Sequence, residues 1–101
     1  MIGLIGNLFK SGAPASKKQK RDPKRLESEK QIARSDDVKE RITLAKNTKT
    51  HQEILYYLAE NDPDPRVRKA VAKNKTTPVH ATAVLARDQN IDVRTELVKR
   101  M

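Results

Sequence analysis

The sequence predicts an all-α protein: a short right-handed α-solenoid of helix pairs over residues 22–101, behind a disordered, flexible basic tail at 1–21. Three observations predict it. Apolar residues recur at helical spacing in short segments separated by polar breaks. Those segments match one another when the chain is shifted along itself by 27 and then by 26 residues, giving about two and a half copies. The composition, 36% hydrophobic against 35% charged, is poor in core-forming residues for a globule, but suits helix pairs that each bury a narrow stripe on the next.

The tail opens with Met1–Lys10, MIGLIGNLFK, which places Ile2, Leu4, Ile5, Leu8 and Phe9 on one half of a helical wheel. Gly3 and Gly6 each cost such a helix about 1 kcal/mol. An isolated helix of this length is unstable in water, so it is expected to form only when docked. A Ser11–Ser16 linker follows, then Lys17, Lys18, Lys20, Arg21, Lys24 and Arg25. An apolar anchor beside a polybasic patch is a two-signal arrangement for weak attachment to an anionic membrane. The plainer expectation is a soluble, disordered tail.

The first helix is expected at Asp22-Pro23, with Leu26, Ile32 and Ala33 as a sparse apolar side that covers the end of the stack. Asp36 or Asp37 opens the second, where Val38, Ile42 and Ala45 share a face. After Asn47–Thr50 comes the most apolar helix, with Ile54, Leu55, Leu58 and Ala59 as its stripe. Asp62 is expected to cap a helix that starts near Pro65 and buries Val67, Ala70 and Val71. Asn74–Thr77 breaks the chain again. Thr77 is expected to cap, and Pro78 to begin, a helix with Ala81, Val84 and Leu85 inward. Asp92–Met101 places Val93, Leu97, Val98 and Met101 on one side, a face expected to be uncovered and so a route to a homodimer through this C-terminal helix.

The copies align through Leu44-Ala45-Lys46-Asn47 on Val71-Ala72-Lys73-Asn74, Thr50 on Thr77, Leu58-Ala59 on Leu85-Ala86, and Val67-Arg68 on Val93-Arg94. Asp62-Pro63, then Val67-Arg68, an Ala-rich helix, Asn74 and Thr77-Pro78 resemble the HEAT-like bacterial repeats called variant leucine-rich repeats. Ile54–Glu60, ILYYLAE, is similar to the N-terminal repeats of the bacterial family called domain of unknown function 2336. The resemblance spans roughly residues 22–101. It implies a stack of helix pairs serving as a binding surface, and no enzymatic activity. Members of that family continue further, so Met101, inside a third copy, is a departure. So is Glu40, which stands where later copies have Val67 and Val93, leaving the first copy to use Val38 or to serve as a cap.

The net charge of +9 is uneven: residues 1–35 hold nine Lys/Arg against three Asp/Glu, and 36–101 hold thirteen against ten. No cysteine is present, which excludes disulfides and thiolate metal sites and accords with a cytoplasmic location. No apolar run approaches the roughly 18 residues of a membrane span. His51 and His80 read as surface residues, and Asp62 and Asp64 as helix caps, since the glycine turn and distal Glu of a calcium loop are missing. All three glycines, Gly3, Gly6 and Gly12, lie in the tail, and no nucleophile-base set is present. No catalytic, cofactor or metal residue is therefore assigned.

Arg41, Arg68 and Arg94 occupy one position in successive copies and are expected to pair with Asp64, Asp92 or carbonyls of the neighbouring copy. The alternative joins them with Arg66, Lys69, Lys73 and Lys75 in a phosphate-binding stripe. Tyr57 is expected inward and Tyr56 exposed, because they align with Val84 and Ala83. The resulting expectation is a non-catalytic scaffold that binds a protein partner through Tyr56, Arg66, Lys69 and Lys73. The rivals are sequence-independent nucleic-acid binding, through Lys17, Lys18, Lys20, Arg21, Lys24 and Arg25 of the tail together with the repeat lysines and arginines, and a membrane-tethered adaptor, which depends on Ile2–Phe9 beside the same tail cations. The shortage of aromatic residues, Phe9, Tyr56 and Tyr57 alone, weighs against an RNA reader.

Overall fold

Short polar segments with built-in caps set the helix boundaries. A computed structural model describes residues 22–100, which form six helices and, among those residues, no strand: α1 Pro23–Ala33, α2 Val38–Lys46, α3 Gln52–Asn61, α4 Pro65–Lys73, α5 Val79–Leu85 and α6 Ile91–Arg100. The amphipathic segment at 1–10, the tail cations Lys17, Lys18, Lys20 and Arg21, and Met101 lie outside the described residues. No helix is long and apolar enough to cross a membrane, among the described residues.

Pro23 and Pro65 stand at the starts of α1 and α4, where a missing N–H costs nothing. Asp22, Asp37 and Asp64 cap α1, α2 and α4 by accepting backbone N–H groups of the first turn. Asp62, expected as the α4 cap, instead closes a turn two residues earlier, accepting from Asp64 N at 2.9 Å. Thr77 does not cap α5 either. Its hydroxyl donates to the Val71 carbonyl at 2.7 Å, and Pro78 is the N-cap residue, so α5 begins one residue later than expected.

Helices α2, α4 and α6 pack in succession, α3 packs on α5, and α1 lies against α2 and α3. One continuous core results, built from Leu26 and Ala33 of α1, Leu44 and Ala45 of α2, Ile54, Leu55, Leu58 and Ala59 of α3, and the inward residues of α4 to α6. Val38 is partly buried against this core while Glu40 is exposed.

Several expected positions move. Val93 and Leu97 are buried, so that part of the α6 face expected to be uncovered is covered by α4 and α5, while Val98 of the same expected face is 70% exposed. Val84 is only partly buried. Tyr57, expected inward, is 41% exposed, whereas Tyr56 packs against the core. The stripe of α3 is centred between Leu55 and Leu58, and at 100° per residue the two tyrosines lie about equally far from it on opposite sides. Neighbouring helices therefore decide which is covered.

Candidate functional site

The same hydrogen bonds recur along the chain. The side chains of Asp37, Asp64 and Asn90 accept the backbone N–H two residues on, at 2.9, 2.8 and 2.8 Å. Those of Ser35, Asp62 and Asp88 do the same, at 3.0, 2.9 and 2.9 Å. Thr50 Oγ1 donates to the Leu44 carbonyl as Thr77 Oγ1 does to Val71, both at 2.7 Å.

Arg41, Arg68 and Arg94 point into this framework. Each donates through Nη1 to the carbonyl six residues back: Ser35 at 2.6 Å, Asp62 at 2.8 Å, and Asp88. In Arg41 and Arg68 the remaining edge of the guanidinium meets the next carboxylate. Arg41 Nε lies 2.7 Å from Asp62 Oδ2 and Arg68 Nε 2.6 Å from Asp88 Oδ2. The expected ladder exists, but its carboxylates are Asp62 and Asp88, not Asp64 and Asp92. Asp64 is held by its own helix as a cap, and Asp92 is exposed on α6. Burial, the largest single influence on Asp88, pushes its carboxyl up. The hydrogen bonds from Arg68 and Asn90 N–H, with the charges of Arg68 and Arg94, outweigh it and hold Asp88 below the usual carboxylate range. With both guanidinium edges engaged inside, Arg41 and Arg68 are withdrawn from any phosphate-binding stripe, whereas Arg94 is held by Nη1 alone.

His51 is buried, contrary to its reading as a surface residue; His80 is exposed. His51 begins α3, and Glu29 of α1 reaches it: one oxygen, Oε1, lies 3.0 Å from the His51 backbone N and 2.9 Å from Nδ1. Glu29 thus caps another helix, a task His51's equivalent, Pro78, does not require because it has no N–H. Arg25 belongs to the same join, with Nη1 donating to the Lys49 carbonyl at 2.6 Å and 3.7 Å from Glu29. It is therefore engaged structurally, while Lys24 stays exposed.

A groove of about 420 Å³ runs between α2 and α4. Ile42 and Lys46 line it from α2; Arg66, Lys69, Ala70 and Lys73 line it from α4. The α4 cations sit at i, i+3 and i+7, a spacing that keeps them on one helix face. Asn74 fixes the two helix ends together, donating through Nδ2 to the carbonyls of Ala45 at 2.8 Å and Asn47 at 3.1 Å. Arg66 is partly neutralised by Asp64, 2.8 Å away. The side-chain and backbone hydrogen bonds from Arg66 lower the Asp64 carboxyl to about 2. Lys46, Lys69 and Lys73 form no ion pair among the described residues. No family model, curated protein or solved structure matches this chain.

Three of the four residues expected to bind a partner, Arg66, Lys69 and Lys73, share this groove. Tyr56 does not line it; its hydroxyl turns toward Glu60, 3.4 Å away on α3. Ile42 and Lys46 were not among the residues expected to bind. Lys46 has a signal in the sequence, as the 27-residue equivalent of Lys73. The next copy places Asp92, Thr95 and Lys99 at the positions of Arg66, Lys69 and Lys73, so two of the three cations on this helix face are not repeated further along. Among the described residues, no cluster of three or more His, Asp or Glu side chains is arranged to hold a metal.

Proposed function

We propose that the protein is a non-catalytic binding module, a short right-handed α-solenoid of HEAT-like helix pairs, which takes an acidic, partly apolar segment of a protein partner between α2 and α4. The observation that carries it is the groove itself, lined by the apolar Ile42 and Ala70 together with Lys46, Lys69 and Lys73, whose ammonium groups lack carboxylate partners among the described residues. Apolar contact supplies affinity, and the cations select acidic segments and raise the rate of encounter. The recurrence of caps and arginine contacts at intervals of 27 and 26 residues supports the repeat architecture. A reducing cytoplasm suits a chain without cysteine.

The test compares a labelled Glu/Leu-rich helical peptide with single- and double-stranded oligonucleotides, titrated into the full chain and into Lys69→Glu/Lys73→Glu. Saturable peptide binding that falls at least tenfold in the variant, a loss of about 1.4 kcal/mol, is expected. Oligonucleotide binding that shows the same sensitivity, with no peptide binding, would replace this proposal with nucleic-acid recognition.

A further inference from the structure

The arginine ladder has three guanidinium groups and two carboxylates. Arg94 is oriented as Arg41 and Arg68 are, by donation from Nη1 to the carbonyl six residues back. In the other two, the edge formed by Nε and Nη2 then holds Asp62 or Asp88. Arg94 has no carboxylate in ion-pair contact among the described residues, and residues 1–21 contain no Asp or Glu.

A second observation lies on the same helix. Val98 of α6 is equivalent to Ala72 of α4 and Ala45 of α2. Both alanines are 0% exposed in a row where α4 packs on α2 and α6 on α4, whereas Val98 is 70% exposed. Ile91 stands seven residues before Val98, hence on the same face, and is 61% exposed. An unfilled carboxylate position and an uncovered apolar position therefore coincide where α6 would receive a further helix of its row.

We infer that this end of α6 is a second docking site, separate from the groove between α2 and α4, and that its occupant is an amphipathic helix of a partner protein opened by an Asp-x-Asp or Asp-x-Asn cap. The geometry of the two filled positions specifies it. Asp62 precedes Val67 by five residues and Val71 by nine; Asp88 precedes Val93 and Leu97 by the same intervals. The leading aspartate would take the Arg94 edge in a two-point, charge-assisted contact, and the apolar residues at five and nine positions on would cover Val98 and Ile91. A second copy of this chain fits less well at its first helix pair, because Ser35 stands there in place of Asp62 and Asp88 and offers no charge.

The probe is a labelled peptide with the sequence of Asp88–Arg100, titrated into the full chain while the Arg94 Nε–H and Val98 methyl resonances are followed by NMR. Both are expected to shift saturably. Binding should weaken at least tenfold with the peptide carrying Asp88→Asn, which leaves the protein untouched, and with Val98→Glu, an exposed position whose change does not disturb the core. Lys69→Glu/Lys73→Glu should leave it unchanged, so failure of the groove proposal and failure of this one are distinguishable. Absence of shifts, equal binding of the Asp88→Asn peptide, or shifts confined to the groove would overturn the inference. So would a dimer of the chain alone that Val98→Glu dissolves, since the occupant would then be a second copy.

Discussion

Arg68 and Asp88 meet in a two-point ion pair, Nε to Oδ2 at 2.6 Å and Nη2 to Oδ1 at 3.1 Å, while Arg68 Nη1 holds the Asp62 carbonyl at 2.8 Å. Asp62 in turn binds Arg41. The pairs therefore form a connected series that fixes the loops preceding α2, α4 and α6 against one another. Replacing Arg68 by Leu leaves Asp88 buried without its counter-charge, a loss of about 3–5 kcal/mol. Arg68→Leu/Asp88→Leu is expected to recover much of that. Urea denaturation of the double variant and both single changes closes the cycle; a cost for Arg68→Leu no greater than for an exposed substitution would refute the role.

Glu29→Ala removes the acceptor of both the His51 backbone N–H and Nδ1, leaving two buried donors unpaired. Since His51 Nε2 has no hydrogen-bond partner among the described residues, no second contact of the ring there compensates. A stability loss of about 1–3 kcal/mol is expected, with faster amide exchange in the first turn of α3. Glu29→Gln, which keeps an oxygen acceptor, should lie between wild type and Ala. Unchanged exchange in α3 would show that its N-terminus is held otherwise.

Thr77→Val preserves shape and removes one buried hydroxyl that donates to the Val71 carbonyl. The expected cost is about 1 kcal/mol. Thr50→Val, at the equivalent hydroxyl over Leu44, should cost at least as much. Thermal unfolding of both variants checks this, and a neutral effect at either site would mean that the released carbonyl finds water.

Acid should weaken the fold in a defined window. Asp64 is lowered from 3.8 to about 2 in the folded chain by its hydrogen bonds from Arg66, and Asp88 is lowered too. A depressed carboxyl contributes stability that is fully present above its unfolded pKa and lost as pH falls through the folded one. Unfolding free energy should therefore fall between about pH 4 and pH 2, and Asp64→Asn should flatten that fall. A curve for Asp64→Asn parallel to wild type would assign the acid sensitivity to other groups.

The helices themselves are legible in the sequence because their determinants are local. Proline at the first turn, aspartate before it and an apolar stripe at helical spacing act within one helix, and the 27- and 26-residue shifts bring the three arginines into register from the order of residues alone. The groove is half legible: Arg66, Lys69 and Lys73 follow from one helix face, but Ile42 and Lys46 join them only because α2 packs on α4. Tertiary packing alone decided that Arg41 and Arg68 meet Asp62 and Asp88 and not Asp64 and Asp92, which tyrosine is covered, and that His51 lies inside against Glu29. Each of those outcomes depends on residues far apart in the chain meeting across helices. Local spacing carries the first kind of information because it is written in one turn of chain, and cannot carry the second, because burial and charge pairing are set by whatever the neighbouring helix brings.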